Sequence, residues 1–211
     1  MSPSKIKKVF ILEDIKPISY FDNRDRLKTF RGKPKQNTFD KKYFISLTNK
    51  FYILPTKSEV GIKDKDIQET ISFDFNLESK KTNKKNNLFF NYQTKNKKNN
   101  KHISNILYSN ILKSKESEGV YFSIIEEKII LILTQNKKLM FYNQFNLHNN
   151  NYVKYLILLY DEFNLDQNKD NLIYISSNID ENKIINELKS YFKNIIKFKK
   201  SIFNVIIEES E

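Results

Sequence analysis

Three short apolar segments follow one another in the second half of the chain with very short connections between them. They are "VYFSII" (120–125), "KIILILT" (128–134) and "LMFYNQF" (139–145), joined by "EE" and "QNKK". Segments of this length that are rich in β-branched and aromatic residues are typical of strands. Because such tight connections join antiparallel neighbours, the three segments are expected to form a meander.

The residues after the meander alternate between helical and strand patterns. "NYVKYLILLYDEFNL" (151–165) is apolar on nearly all sides and predicts a buried helix, while "NLIYISS" (171–177) predicts a strand. The last strand is expected at "NIIKFK" (194–199) or at "IFNVIIE" (202–208). Between the last two strands, helical spacing is kept by Ile184, Ile185, Leu188, Tyr191, Phe192 and Ile195.

The resulting order from residue 120, βββαβαβ, is typical of a ribonuclease H-like unit. In that unit parallel strands extend a meander through right-handed helical crossovers. Actin-like ATPases pair two such units across a nucleotide cleft, and a helix predicted over 101–115 precedes the meander here. We therefore predict an α/β chain with the ribonuclease H-like or actin-like ATPase fold, divided into lobes at 1–100 and 101–211.

The first hundred residues carry a weaker pattern and predict a reduced, mixed α/β lobe. "KKVFILEDI" (7–15) predicts a strand, and "KYFISLTNKFYILP" (42–55) predicts a hairpin or strand pair that turns at residues 48–50. A weak helix is predicted over 63–75. The lysine and asparagine tracts within 78–102 are too polar to pack, so they are expected to form loops.

Several passages resemble a Bacteroidetes family known as domain of unknown function 3822. The resemblance runs over 101–198 and is most specific in "LMFYNQF", "YLILLYDEFNLDQNKDNLIY" and "YFKNIIKF"; "KFYILPTKSEV" (50–60) is similar to the family's strand before a proline-containing loop. It implies an actin-like ATPase fold of two ribonuclease H-like lobes without an established reaction. The first forty residues depart from the family pattern, which implies a trimmed N-terminal lobe. The resemblance and the asparagine- and isoleucine-rich composition together imply a Bacteroidetes bacterium with an AT-rich genome.

The formal net charge of +12 invites an interpretation as a nucleic-acid-binding protein. Arginine, the residue best suited to phosphate and guanine recognition, occurs only at Arg24, Arg26 and Arg31. The lysine excess is therefore attributed to composition, and nucleic-acid binding is kept as a second alternative.

Other classes of protein are disfavoured by what the chain lacks. It has no cysteine and two histidines, His102 and His148, which leaves little for a transition-metal centre. Its first residues, "MSPSKIKK", lack the apolar core of a signal peptide, and no apolar segment is long enough to span a membrane. We expect a cytoplasmic protein without a membrane partner.

The strand-to-helix junction after residue 175 is where a phosphate-binding loop would be expected. It offers Ser176, Ser177 and Asn178 in place of glycines, and Asp180 and Glu181 follow in the first turn of the helix. These carboxylates are expected to cap the helix and to repel a phosphate. The three polar residues are therefore weak candidates for cofactor binding.

Catalysis by two metal ions is also disfavoured, because the first strand of the unit (120–125) and the fourth (172–177) contain no carboxylate. We identify no catalytic or metal-binding residue. The leading interpretation is a non-catalytic binding or scaffold protein with a degenerate actin-like ATPase fold, no cofactor and a protein partner. The alternative is a nucleotide-binding protein or ATPase that uses ATP and magnesium.

Overall fold

The computed structural model describes residues 7–15, 19–22, 30–32, 39–55, 80–85, 87–94, 98–115, 117–148, 151–177 and 180–210. Its strands are β1 (Lys8–Glu13), β2 (Ser19–Asp22), β3 (Phe30–Arg31), β4 (Lys41–Ser46), β5 (Phe51–Pro55), β6 (Lys80–Lys85), β7 (Leu88–Gln93), β8 (Asn100–His102), β9 (Gly119–Ile125), β10 (Lys128–Gln135), β11 (Lys138–Asn146), β12 (Leu172–Tyr174) and β13 (Ile195–Lys197). Its helices are α1 (Ile103–Lys113), α2 (Tyr152–Glu162), α3 (Glu181–Leu188) and α4 (Ile202–Ser210). The helix predicted over 63–75 lies outside the described residues.

The second half of the chain forms a five-stranded sheet in the order β11-β10-β9-β12-β13. β9, β10 and β11 are the predicted antiparallel meander, and β12 and β13 extend it as parallel strands. Alternate residues of β9 face opposite sides: Val120 and Phe122 pack with α2 and α3, whereas Tyr121 packs towards α1 and α4. Burial on both faces explains why β9 and β10 read as continuous apolar runs.

Of the two segments predicted for the last strand, 194–199 contains β13 and is confirmed, whereas 202–208 and the buried helix differ from the expectations. Residues 202–208 are part of α4 and not a strand, because Ile202, Phe203 and Ile206 are all buried on one side of a helix. α2 is buried along one face only, since Leu158 is 52 % exposed. The order from residue 119 is therefore βββαβαβα, which is the predicted unit completed by a helix.

The first half repeats the same sheet architecture in the order β3-β2-β1-β4-β8. β1 is antiparallel to β2 and parallel to β4, and β4 is parallel to β8. The two strands predicted within 42–55 are present as β4 and β5. Their predicted pairing with each other is wrong, because β4 pairs within this sheet whereas β5 pairs with β7 in another. The connection at 47–50 is a crossover between sheets, which a local pattern cannot distinguish from a turn.

A third sheet, in the order β5-β7-β6, uses part of the lysine-rich tract. Residues 80–85 form an edge strand and not the predicted loop, because β7 supplies a buried apolar neighbour with which their backbone can pair. Their polar side chains find partners too: Thr82 Oγ1 donates to Asn91 Oδ1 at 2.7 Å, and Lys85 Nζ lies 2.8 Å from Glu209 Oε2. Lysines on an edge strand also oppose pairing with other chains.

One hydrophobic core runs through both halves of the molecule. It joins Phe10 of β1 and Ile45 of β4 to Ile106 of α1, Tyr121 of β9 and Phe203 of α4. The two repeated sheets are therefore held together by α1 and α4, which contact each other and present apolar side chains to this core. Within the part of the chain that is described, no helix has the length and apolar character needed to cross a bilayer.

Candidate functional site

The two repeated sheets bring their equivalent turns face to face. The connection after β1 begins at Asp14, which has a φ of 63°, and the turn between β9 and β10 begins at Glu126, which has a φ of 51°. Ser19 Oγ donates a hydrogen bond of 3.2 Å to Glu126 Oε1, so the two turns are directly connected. Glu126 is half-buried, in contrast to the solvated carboxylate that a hairpin turn predicts, while Glu127 beside it is exposed.

A second set of bonds crosses between the sheets at residues 47–49. Lys128 Nζ donates to the carbonyl oxygen of Leu47 and lies 2.9 Å from Asn49 Oδ1. Gln144 Nε2 lies 2.6 Å from the same Leu47 oxygen and 2.5 Å from that of Thr48. Both donors come from the second sheet and all three acceptors follow β4 of the first.

Lys128 is an unusual residue at this position because only 5 % of it is exposed. Burial lowers the pKa of its ammonium group, and the negative charge of Asp14 opposes that effect. The two oxygen acceptors described above compensate part of the lost hydration. The amine is therefore engaged by acceptors within the protein.

His102 supports the same connection through a hydrogen bond to Thr48. Its ring is fully buried, and burial lowers its pKa to about 4, against the smaller opposing effect of the Thr48 carbonyl. Nε2 lies 3.1 Å from the Thr48 oxygen, which can only accept, so Nε2 carries the proton. Nδ1 lies 2.6 Å from Ser104 Oγ and caps α1 by accepting from the Ser104 amide.

A cavity of about 480 Å³ lies beside these contacts, and Thr48, Asn49 and Lys128 are part of its lining. Its ionisable lining comprises the carboxylates of Asp14 and Glu127, the amines of Lys50 and Lys128, and His148. Among the described lining residues the two negative and two positive charges cancel formally, so this part of the lining offers no net positive charge to a triphosphate. Among the described residues, no cluster of three or more carboxylates and histidines is arranged to hold a metal ion.

The candidate cofactor-binding residues of the sequence analysis lie apart from this cavity. Ser176 and Ser177 follow β12 but are not in its lining, and Asn178 lies outside the described residues. The Ser176 carbonyl accepts from the Ile202 amide at 2.8 Å, which anchors the start of α4. Asp180 caps α3 as predicted, accepting at 3.1 Å from Asn182 N and at 3.3 Å from Lys183 N.

The sequence contains little indication that Lys128 and Gln144 are buried and bonded to residues 47–49. A lysine directly after an acidic turn and a glutamine in a strand at the edge of a sheet are both typical of solvated positions. His148 is an exposed residue at the end of β11, as its asparagine-rich surroundings predict, and it borders the cavity. His102 was predicted near the start of a helix, but its partner Thr48 is 54 residues away in sequence.

Comparison with known proteins gives a family and a fold. The family model described as "Protein of unknown function (DUF3822)" matches residues 70–195. A crystal structure from Bacteroides thetaiotaomicron VPI-5482, described as a protein with actin-like ATPase fold and unknown function, superimposes with a TM-score of 0.68 at 14 % sequence identity. The match covers 97 % of this chain and 96 % of that one. No curated protein matches the sequence.

Proposed function

The chain belongs to the DUF3822 family of proteins of unknown function and has the actin-like ATPase fold, and from this premise we propose that it is a non-catalytic scaffold that binds another protein. The observation that carries the proposal is the direct bonding between the two sheets at residues 47–49. A phosphate-binding cleft needs free backbone amides and room for close approach. Here Lys128 and Gln144, both buried, bond directly to residues 47–49 beside the cavity.

The turns that face the cleft support the same conclusion. A turn that grips phosphate benefits from glycine, because its backbone can approach the ligand closely. Asp14 and Glu127 line the cavity at these turns instead, and their negative charges would repel a triphosphate. With a formally neutral cavity lining, a nucleotide would gain little electrostatic attraction in this cleft.

The shared core also argues against a hinged catalytic cycle. Opening the cleft by rotating one sheet away from the other would expose apolar side chains such as Ile106 and Phe203 to water. Exposing apolar surface costs roughly 25 cal/mol per Å², so even a modest opening is unfavourable. A rigid body of this kind suits a protein that presents fixed surfaces to a partner. We also propose a cytoplasmic location, because a chain without cysteine has no need of an oxidising compartment.

A thermal-shift titration with magnesium and ATP tests the proposal. A ligand present at a hundred times its Kd stabilises the folded state by about 2.7 kcal/mol. For a chain of this size that corresponds to a rise in Tm of roughly 5–10 °C. We expect no saturable rise, and a saturable rise of this size would refute the proposal.

A nucleotide-binding protein is the second candidate, favoured by the cavity of about 480 Å³ beside the facing turns. Lys50 and His148 are the exposed basic residues of its lining. If ATP does raise the Tm, the charge reversal Lys50→Glu is expected to abolish that rise. Lys138→Glu, an exposed lysine absent from this lining, is the matched control.

A further inference from the structure

A groove of about 730 Å³ separates the small sheet from the second repeated sheet. One wall is β5, the outer strand of the small sheet, and the other is β11, the outer strand of the repeated sheet. The walls are largely apolar and aromatic: Phe51 and Ile53 face Leu139, Met140 and Phe141 across the groove. This groove and the charged cavity described above are separate spaces, although Asn49 lines both of them.

Each wall of the groove is an edge strand among the described residues. β5 pairs only with β7, and β11 pairs only with β10, so each strand has one side outside the described ladders. Backbone groups on such a side can accept a further strand. The groove therefore offers main-chain hydrogen bonds as well as apolar contacts.

The dimensions suit a short extended segment. β11 contributes the five consecutive residues 139–143 to the lining, and β5 contributes residues within 51–55. Five residues of a strand extend about 17 Å. One end is closed where the rings of Phe51 and Tyr142 meet with centroids 5.1 Å apart.

Met140 provides an adaptable contact at the open part of the groove. In the pairing of β10 with β11, Leu133 faces Phe141 and Thr134 faces Leu139, so Met140 is the extra residue of a β-bulge. It is 48 % exposed, which is high for a large apolar side chain. A flexible thioether at this point can pack against different apolar residues of an incoming segment.

Charge distinguishes the kind of segment that fits. None of the described residues that line the groove carries a formal charge at neutral pH. Exposed lysines lie beside both ends of the walls, Lys50 before β5 and Lys138 at the start of β11. An apolar segment with carboxylates at its ends would complement this arrangement. A second copy of the chain is disfavoured because each copy has a net charge of +12.

We propose that this groove binds an extended segment of a partner protein, about five mainly apolar residues flanked by Asp or Glu, which lies as a strand between β5 and β11. The inference rests on the proposed scaffold function and names the class of partner. A segment of this type gains affinity from main-chain bonds and specificity from alternate side chains.

Selection from a displayed library of random nonapeptides tests the proposal, with the full chain immobilised as bait. We expect enriched peptides to alternate apolar residues and to carry Asp or Glu near both ends. In fluorescence anisotropy, Met140→Asp should raise the Kd of the best peptide at least about tenfold, as for an anchor residue at the centre of an interface. Leu158→Asp is the control, because Leu158 is equally exposed but lies on α2 outside the groove.

Two further variants keep the test independent of any folding defect in Met140→Asp. Lys138→Glu should weaken the binding of the acidic-ended peptide. A synthetic peptide with every second amide N-methylated should also bind more weakly to the unchanged protein, because it lacks half of the backbone donors that a strand needs. The proposal is overturned if no peptide is enriched, if binding survives all three changes, or if the enriched peptides are basic or have helical spacing. It is also overturned if sedimentation shows a dimer that the peptide disrupts. These outcomes leave the scaffold proposal intact, since that proposal is tested by ATP binding and not by peptide binding.

Discussion

His102 should make the protein's stability depend on pH in a defined window. The ring is neutral in the folded protein, with a pKa lowered by burial to about 4, whereas a histidine in the unfolded chain has a pKa near 6.5. As the pH falls below 6.5, the unfolded chain therefore takes up a proton that the folded protein does not. The stabilisation is complete above pH 6.5 and is lost as the pH falls towards 4. Between pH 7.5 and 5 the loss amounts to about 2 kcal/mol.

Urea denaturation at pH 7.5, 6.5, 5.5 and 5.0 measures this effect. With an m-value of about 2 kcal/mol/M, the midpoint of the wild type should fall by about 1 M over the series from this histidine alone. The control is His102→Asn, which retains a side chain that can cap α1 but cannot take up the proton. The variant should be less stable at pH 7.5, because it has lost ring contacts with Tyr92 and Phe51. Its urea midpoint should nevertheless fall less than that of the wild type as the pH is lowered. Equal dependence on pH in both proteins would contradict the reasoning.

Three other predictions concern backbone, capping and charge. Gly119→Ala should destabilise the protein by at least about 2 kcal/mol, because Gly119 has a φ of +130° and an added Cβ would lie 2.9 Å from the Asn171 carbonyl oxygen. Gly32→Ala, where φ is +97° but nothing lies within 4 Å, should cost less in the same urea assay. Asp180→Ala should cost about 1 kcal/mol by removing the cap of α3, whereas Asp180→Asn should cost less. Binding of a fluorescent DNA duplex should collapse between 50 and 200 mM salt and show no sequence preference, as expected for lysine contacts with phosphates alone.

Each of these outcomes has a clear opposite. Equal losses in the two glycine variants would show that backbone conformation dominates and that the contact with Asn171 is unimportant. An unchanged stability in Asp180→Ala would show that solvent caps α3 equally well. A sequence preference that survives 200 mM salt would favour a nucleic-acid-binding function over a scaffold.

The meander and the order of elements were predictable because they depend on local signals. The two-residue turn at 126–127 leaves β9 and β10 no arrangement other than antiparallel, and the observed register follows from it. Residues 202–208 were ambiguous, since a short apolar run fits both a strand and a buried helix. Their helical state depends on packing against α1, about a hundred residues earlier in the chain.

The interior of the candidate site was less predictable than the fold. The cap at Asp180 follows from its position before a helical pattern, and the structure confirms it. The bonds from Lys128 and Gln144 to residues 47–49 join parts of the chain that lie 79 to 97 positions apart. No local pattern indicates such a pairing, because it arises only when the two sheets are placed against each other.

The packing of α1 against α4 has a consequence for synthesis on the ribosome. Residues 103–111 of α1 are buried without exception in the finished protein, and α4 supplies part of their cover. In a nascent chain that has already formed α1, part of this apolar surface therefore stays exposed to solvent until residues 202–210 have left the exit tunnel. During that interval the chain is an expected client for a chaperone that shields apolar helices, and stalling translation before α4 should prolong that association.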